Sequence, residues 1–102
     1  MKHGLMVVRS NPKEGLEDEF NDWYDNTHFP EILAVPGFVS AKRYKLTSGD
    51  ANGHEYIAVY EYEHEDDLTV PLTTMRSQAR TLRDVIDMTN PPNVVQYERL
   101  GD

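Results

Sequence analysis

The sequence predicts an α+β plait, a four-stranded antiparallel sheet with two helices on one face, in the order strand, helix, strand, strand, helix, strand. Three observations carry this. Four short segments are rich in Val, Ile, Leu and Tyr, two longer ones repeat apolar residues at helical spacing, and clusters of Gly, Pro, Asn and Asp separate them. The chain has 102 residues and shows no internal repeat, low-complexity tract or linker, so the six segments make one domain.

The elements follow in order. Residues 3–9 form the first strand, with Leu5, Met6, Val7 and Val8 apolar on both faces. Asn11-Pro12-Lys13-Glu14-Gly15 is a turn cluster. A helix follows over 16–27, with Glu17, Asp18 and Glu19 in its first turn, where the helix dipole favours acids. Leu16, Phe20, Trp23, Tyr24 and Thr27 make its inner stripe, and His28 continues that stripe. Phe29-Pro30 is expected to end the regular helix, because the residue before a proline is pushed out of helical dihedrals. A short helical turn, a Pro36-Gly37 corner and a second strand over 38–46 come next. Residues 47–53 are a turn, and 55–63 a third strand with Tyr56, Ala58, Tyr60 and Tyr62 on one face. The second helical region spans 66–88 with Met75, Ala79, Leu82 and Ile86 inward, and Pro71 is expected to break its early part. Asn90-Pro91-Pro92 stops it, and 94–100 is the last strand.

Two helices can cover only one face of such a sheet, yet the first and third strands are apolar or aromatic on both. Two-sided apolar strands imply two-sided burial. The expected cover is a second copy, sheet against sheet, in a homodimer.

Composition narrows the function classes. A net charge of −8 and a pI near 4.8 argue against a nucleic-acid partner and against an anionic membrane surface. No apolar run approaches the ~20 residues that cross a bilayer. The start, MKHGLMVVRS, is too short in apolar residues for an export signal, so the expected compartment is the cytoplasm. Zero cysteines exclude thiolate catalysis and Cys-based metal sites. His3, His54 and His64 are scattered with no ligand-like spacing, and the glycines form no phosphate-binding loop, so no metal or nucleotide cofactor is expected.

The chemistry concentrates between Asn21 and Tyr44. His28 is the first candidate, because imidazole titrates near neutrality and serves as acid or base. A second use is open: a histidine that caps the broken helix end. Tyr24, one turn earlier, is either a hydrogen-bond donor to a ligand carbonyl or a core aromatic. Arg43 and Tyr44 point to opposite faces of the second strand; Arg43 is a candidate for holding an oxyanion or, alternatively, an ion pair. Phe20, Trp23, Phe29, Tyr44 and Tyr60 are the candidate substrate contacts, with Trp23 as core or pocket wall. The row Tyr56, Tyr60, Tyr62 suits an aromatic pocket or, by preference, a dimer interface. Asp22 and Asp25 read as solvated.

The run Trp23-Tyr24, His28, Pro30, Leu33-Ala34-Val35-Pro36-Gly37-Phe38, then Ala41, Arg43 and Tyr44, resembles the EthD-like group of dimeric α/β-barrel proteins. The likeness spans nearly the whole chain. It implies a ferredoxin-like βαββαβ plait whose sheets pair into an α/β barrel, with a pocket between sheet and helices. It also implies cofactor-free chemistry, with His28 matching the helix-end histidine of related enzymes. A haem-degrading role would need a histidine on the second helix, and 72–88 has none. The expected function is a cofactor-independent isomerase, cyclase, dehydratase or monooxygenase acting on a small apolar cyclic or aromatic carbonyl compound. The alternative is a non-catalytic accessory protein that binds a metabolite.

Overall fold

The first strand, β1 (Lys2–Ser10), lies inside the sheet, which its run of apolar residues on both faces requires. In the computed structural model, which describes residues 1–50, 52–78 and 84–101, it pairs antiparallel with β3 (Tyr56–His64) on one side and β4 (Asn93–Glu98) on the other. The strand β2 (Phe38–Lys45) pairs antiparallel with the outer edge of β3. The order β2-β3-β1-β4, with helical segments after β1 and β3, is the expected ferredoxin-like plait.

Register decides what each face carries. Met6 stands opposite Tyr60 on one side and Gln96 on the other, while Ala41 stands opposite Tyr60 and Arg43 opposite Ala58. Strand alternation therefore gathers Met6, Val8, Tyr56, Tyr60, Tyr62 and Arg43 on the helix side. Phe38 joins them through a bulge, since Phe38 pairs with Tyr62 but Ser40 with the next residue, Glu61. The preference for a dimer-interface role of the Tyr56–Tyr60–Tyr62 row is corrected: all three are buried beneath the helices. The apolar helix stripe needs an apolar floor, and the aromatic row supplies it; Phe20 meets Tyr56 edge-on at 5.3 Å. The other face keeps Leu5, Val7, Ile57 and Val59 half-buried and leaves Tyr44 and Tyr97 more than half exposed.

The first helical segment corrects a second expectation. It does not stop at Phe29-Pro30. The α-helix α1 (Glu17–Trp23) passes into a π-turn (Tyr24–His28) and then into α2 (Phe29–Leu33), with Phe29 in helical dihedrals. The Phe29 amide bonds to the Tyr24 carbonyl, five residues back. The register thus changes just before Pro30, which has no N–H to give and sits in the first turn of α2.

The last helix, α3 (Thr69–Gln78), is shorter than 66–88. Pro71 sits in its first turn and does not break it. Asp67 accepts hydrogen bonds from the Thr69 amide at 2.9 Å and the Thr69 hydroxyl at 2.7 Å, which fixes the start. Ala79 and Leu82 lie outside the described residues. Ile86 is not helical: it bridges Pro12, and Val85 and Asp87 exchange backbone bonds with Lys13 and Asn11. Among the described residues no helix is long and apolar enough to cross a membrane.

Candidate functional site

The π-turn delivers His28 to the gap between α3 and the sheet. Single π-turns inside α-helices occur often at functional sites, where one extra residue re-aims the side chains that follow. The imidazole is held by three rings. It stacks on Trp23 at 4.5 Å with an 18° interplanar angle, meets the Tyr24 edge at 5.5 Å and stands perpendicular to Tyr60 at 6.4 Å. It caps nothing. The helical run continues past it, and its Nδ1 is buried with no hydrogen-bond partner. Burial pushes its pKa below 6.5, and the nearby Glu31 carboxylate opposes this only in part. The imidazole is therefore neutral at pH 7 and suited to act as a base.

A cavity of about 440 Å³ opens beside it. The helical run contributes Tyr24, His28 and Ile32; β1 and β3 contribute Met6, Val8 and Tyr60. Met75 and Arg76 of α3, with Val94 and Gln96 of β4, line the other side, where Arg76, Val94 and Gln96 are exposed and the cavity meets solvent. The walls are mainly apolar with a few polar groups, the composition of a small-molecule site. The Tyr60 hydroxyl is buried without a partner. Burial first, then the neighbouring Tyr24, pushes its pKa above the normal tyrosine range, and Arg43 offsets only part of that. The Tyr24 hydroxyl pairs with Ser10; burial raises its pKa as well, against the smaller effects of Ser10 and Arg43. Both phenols are hydrogen-bond donors at neutral pH. A wider depression, about 550 Å³, lies on the opposite sheet face around Leu5, Val39 and Tyr97. It gathers none of these groups and lies on the sheet face away from the helices.

Of the eight candidate side chains, His28, Tyr24 and Tyr60 line the cavity. Arg43 does not. Its guanidinium lies 4.7 Å over the Tyr24 ring and 5.3 Å from Phe20, donating to Asn21 at 2.8 Å and to Asp25 at 3.4 Å. Asp25, read as merely solvated, thus has an ion-pair partner. Phe20 and Trp23 are core, behind the lining. Phe29 packs on Tyr60 at 5.4 Å and on Tyr24 at 5.7 Å without lining the cavity. Tyr44 is 53% exposed and points to the other face. Sequence reasoning missed Arg76 and Gln96. Gln96 carried a signal, a lone uncharged polar residue inside the apolar run Val94-Val95-Gln96-Tyr97. Arg76 carried none beyond its place next to Met75. Among the described residues, no group of three His, Asp or Glu side chains is placed to hold a metal ion.

Residues 5–83 match the family described as a domain of unknown function, DUF4286. The chain belongs to the DUF4286 family. Two solved structures resemble this DUF4286 protein over their full length. One is an ethyl tert-butyl ether D (EthD) family protein from Bacillus halodurans C-125, with 15% identity, a TM-score of 0.56, and coverage of 98% of this chain and 100% of that one. The other, from Shewanella loihica PV-4 and provisionally described as a monooxygenase, has 16% identity, a TM-score of 0.56, and coverage of 100% and 99%. At these identities the likeness is one of fold, and the resemblance to the EthD-like group holds at that level. No curated protein matches the sequence.

Proposed function

We propose that this DUF4286 protein is a cofactor-independent enzyme that moves a proton on a small, largely apolar cyclic or aromatic carbonyl compound. The observation that carries it is the cavity lined by His28, neutral and unbonded to protein, and by Tyr60, whose unpartnered hydroxyl is buried behind the wall. His28 Nε2 takes a proton from the carbon beside the substrate carbonyl. The electron pair of that C–H bond moves onto the carbonyl oxygen, and the resulting enolate oxygen accepts a hydrogen bond from Tyr60, whose buried hydroxyl turns into the cavity when substrate binds, with Tyr24 one helical turn from His28. Return of the proton elsewhere gives isomerisation; loss of a leaving group, ring closure or attack on oxygen gives the dehydratase, cyclase and monooxygenase versions. Arg43 acts behind Tyr24 and positions its ring. The protein works as a homodimer, the second copy covering the open face of Leu5, Val7, Ile57 and Val59.

The test is turnover of aromatic, lactone and β-keto compounds by wild type and His28→Ala. A loss of about 10²–10⁴-fold in kcat/KM is expected. With His28 as the base, kcat/KM rises with pH through a pKa below 6.5 and is flat above it. Activity that falls over that range overturns the base role. Binding without conversion by both proteins instead makes the chain a metabolite-binding accessory protein. The depressed pKa also has a stability sign: His28 stabilises the fold fully above 6.5, and that contribution is lost as pH falls through its folded-state pKa.

A further inference from the structure

The wall opposite His28 carries a group that proton abstraction does not use. Arg76 lines the cavity together with Gln96, and the same two side chains also line an adjoining groove of about 330 Å³ beneath Leu68 and Leu72. Arg76 has no ion-pair partner among the described residues, whereas Lys13, Arg43 and Lys45 each have one. Among the described residues no aspartate or glutamate lines the cavity, and in the groove the one carboxylate is Glu98, which makes no bond to Arg76. In a chain of net charge −8, Arg76 is exposed at the mouth of the apolar cavity and sets a positive group at its rim.

We propose that the cavity takes organic anions, an apolar ring carrying a carboxylate, with Arg76 and Gln96 holding the carboxylate at the junction of cavity and groove and the ring lying towards Met6, Tyr24 and His28. A guanidinium presents a planar fork of N–H donors that matches a carboxylate two bonds at a time, and the Gln96 amide adds a further donor. The anion would thereby be anchored away from His28, leaving the reacting carbon at the base. The specificity assigned here rests on the cavity being the substrate site.

The experiment is calorimetric titration with 1-naphthoate and its neutral counterpart 1-naphthamide. Wild type is expected to bind naphthoate about tenfold more tightly, the lower end of what a hydrogen bond to a charged group contributes, because Arg76 is partly solvated. Arg76→Gln should abolish the preference and leave naphthamide affinity unchanged, Arg76→Lys should retain part of it, and His28→Ala should keep it. Equal affinities in wild type, or a preference that survives Arg76→Gln, overturn the anion assignment and leave the cavity standing. Failure of both compounds to bind overturns the cavity as a site, and the assignment with it.

Discussion

Tyr60→Phe separates folding from function by the sign of its effect. The ring is fully enclosed, with Phe29 at 5.4 Å, Phe38 at 6.4 Å and His28 at 6.4 Å, and phenylalanine keeps every one of those contacts. What disappears is a buried hydroxyl with no hydrogen-bond partner. Such a group has given up water for nothing, a deficit of roughly 1–3 kcal/mol in proteins. Tyr60→Phe is therefore expected to stabilise the fold by about 1 kcal/mol, and each kcal/mol raises Tm by about 4–8 °C in a domain of this size. Tyr56→Phe, on the same strand, is the control. There the hydroxyl donates to Glu17, and its removal should destabilise by about 0.5–1 kcal/mol, since Glu17 is half in solvent. Turnover should move against stability, Tyr60→Phe lowering kcat by about 10²–10³-fold as expected for loss of an oxyanion donor. Urea unfolding followed by circular dichroism reads the first effect, and single-turnover kinetics the second. A Tyr60→Phe protein less stable than wild type would mean that the hydroxyl already has a partner in the fold, and the donor role would fall.

Two more predictions follow from packing. A Cβ on Gly4 would lie 2.5 Å from the Tyr62 ring, so Gly4→Ala should lower stability by about 1–3 kcal/mol in urea; an unchanged midpoint would mean that the ring gives way freely. Light scattering at micromolar concentration should give the dimer mass for wild type and the monomer mass for Val7→Lys, and a monomeric wild type would remove the second copy from the open face.

The fold was legible because its signals are local. Alternation on β3, the stripe Phe20-Trp23-Tyr24 and the turn clusters each act within a few residues, and together they specify the plait. The π-turn was not legible, since proline disfavours helical dihedrals in the residue before it without forbidding them, and the burial of Phe29 and Ile32 against the core outweighs that preference. His28, Tyr24 and Tyr60 were found as candidates because their chemistry or spacing marks them. For Arg43 the sequence left an oxyanion role and an ion pair open, because alternation gives its face but not its reach: three aromatic rings and the side chains of Asn21 and Asp25 hold its guanidinium short of the cavity. Arg76 and Gln96 line one cavity only because β4 pairs with the free edge of β1 on the side that α3 covers, a juxtaposition across the sheet that no local pattern encodes.

The parallel stack of His28 on Trp23 gives the protein a built-in optical gauge. Trp23 is the single tryptophan of the chain, so all indole emission comes from one ring lying 4.5 Å from the proposed base. A protonated imidazole accepts an electron from an excited indole far more readily than a neutral one, so emission should dim as His28 takes up a proton. The occupancy of that proton can thus be followed in the native chain, without a label and before any substrate is known.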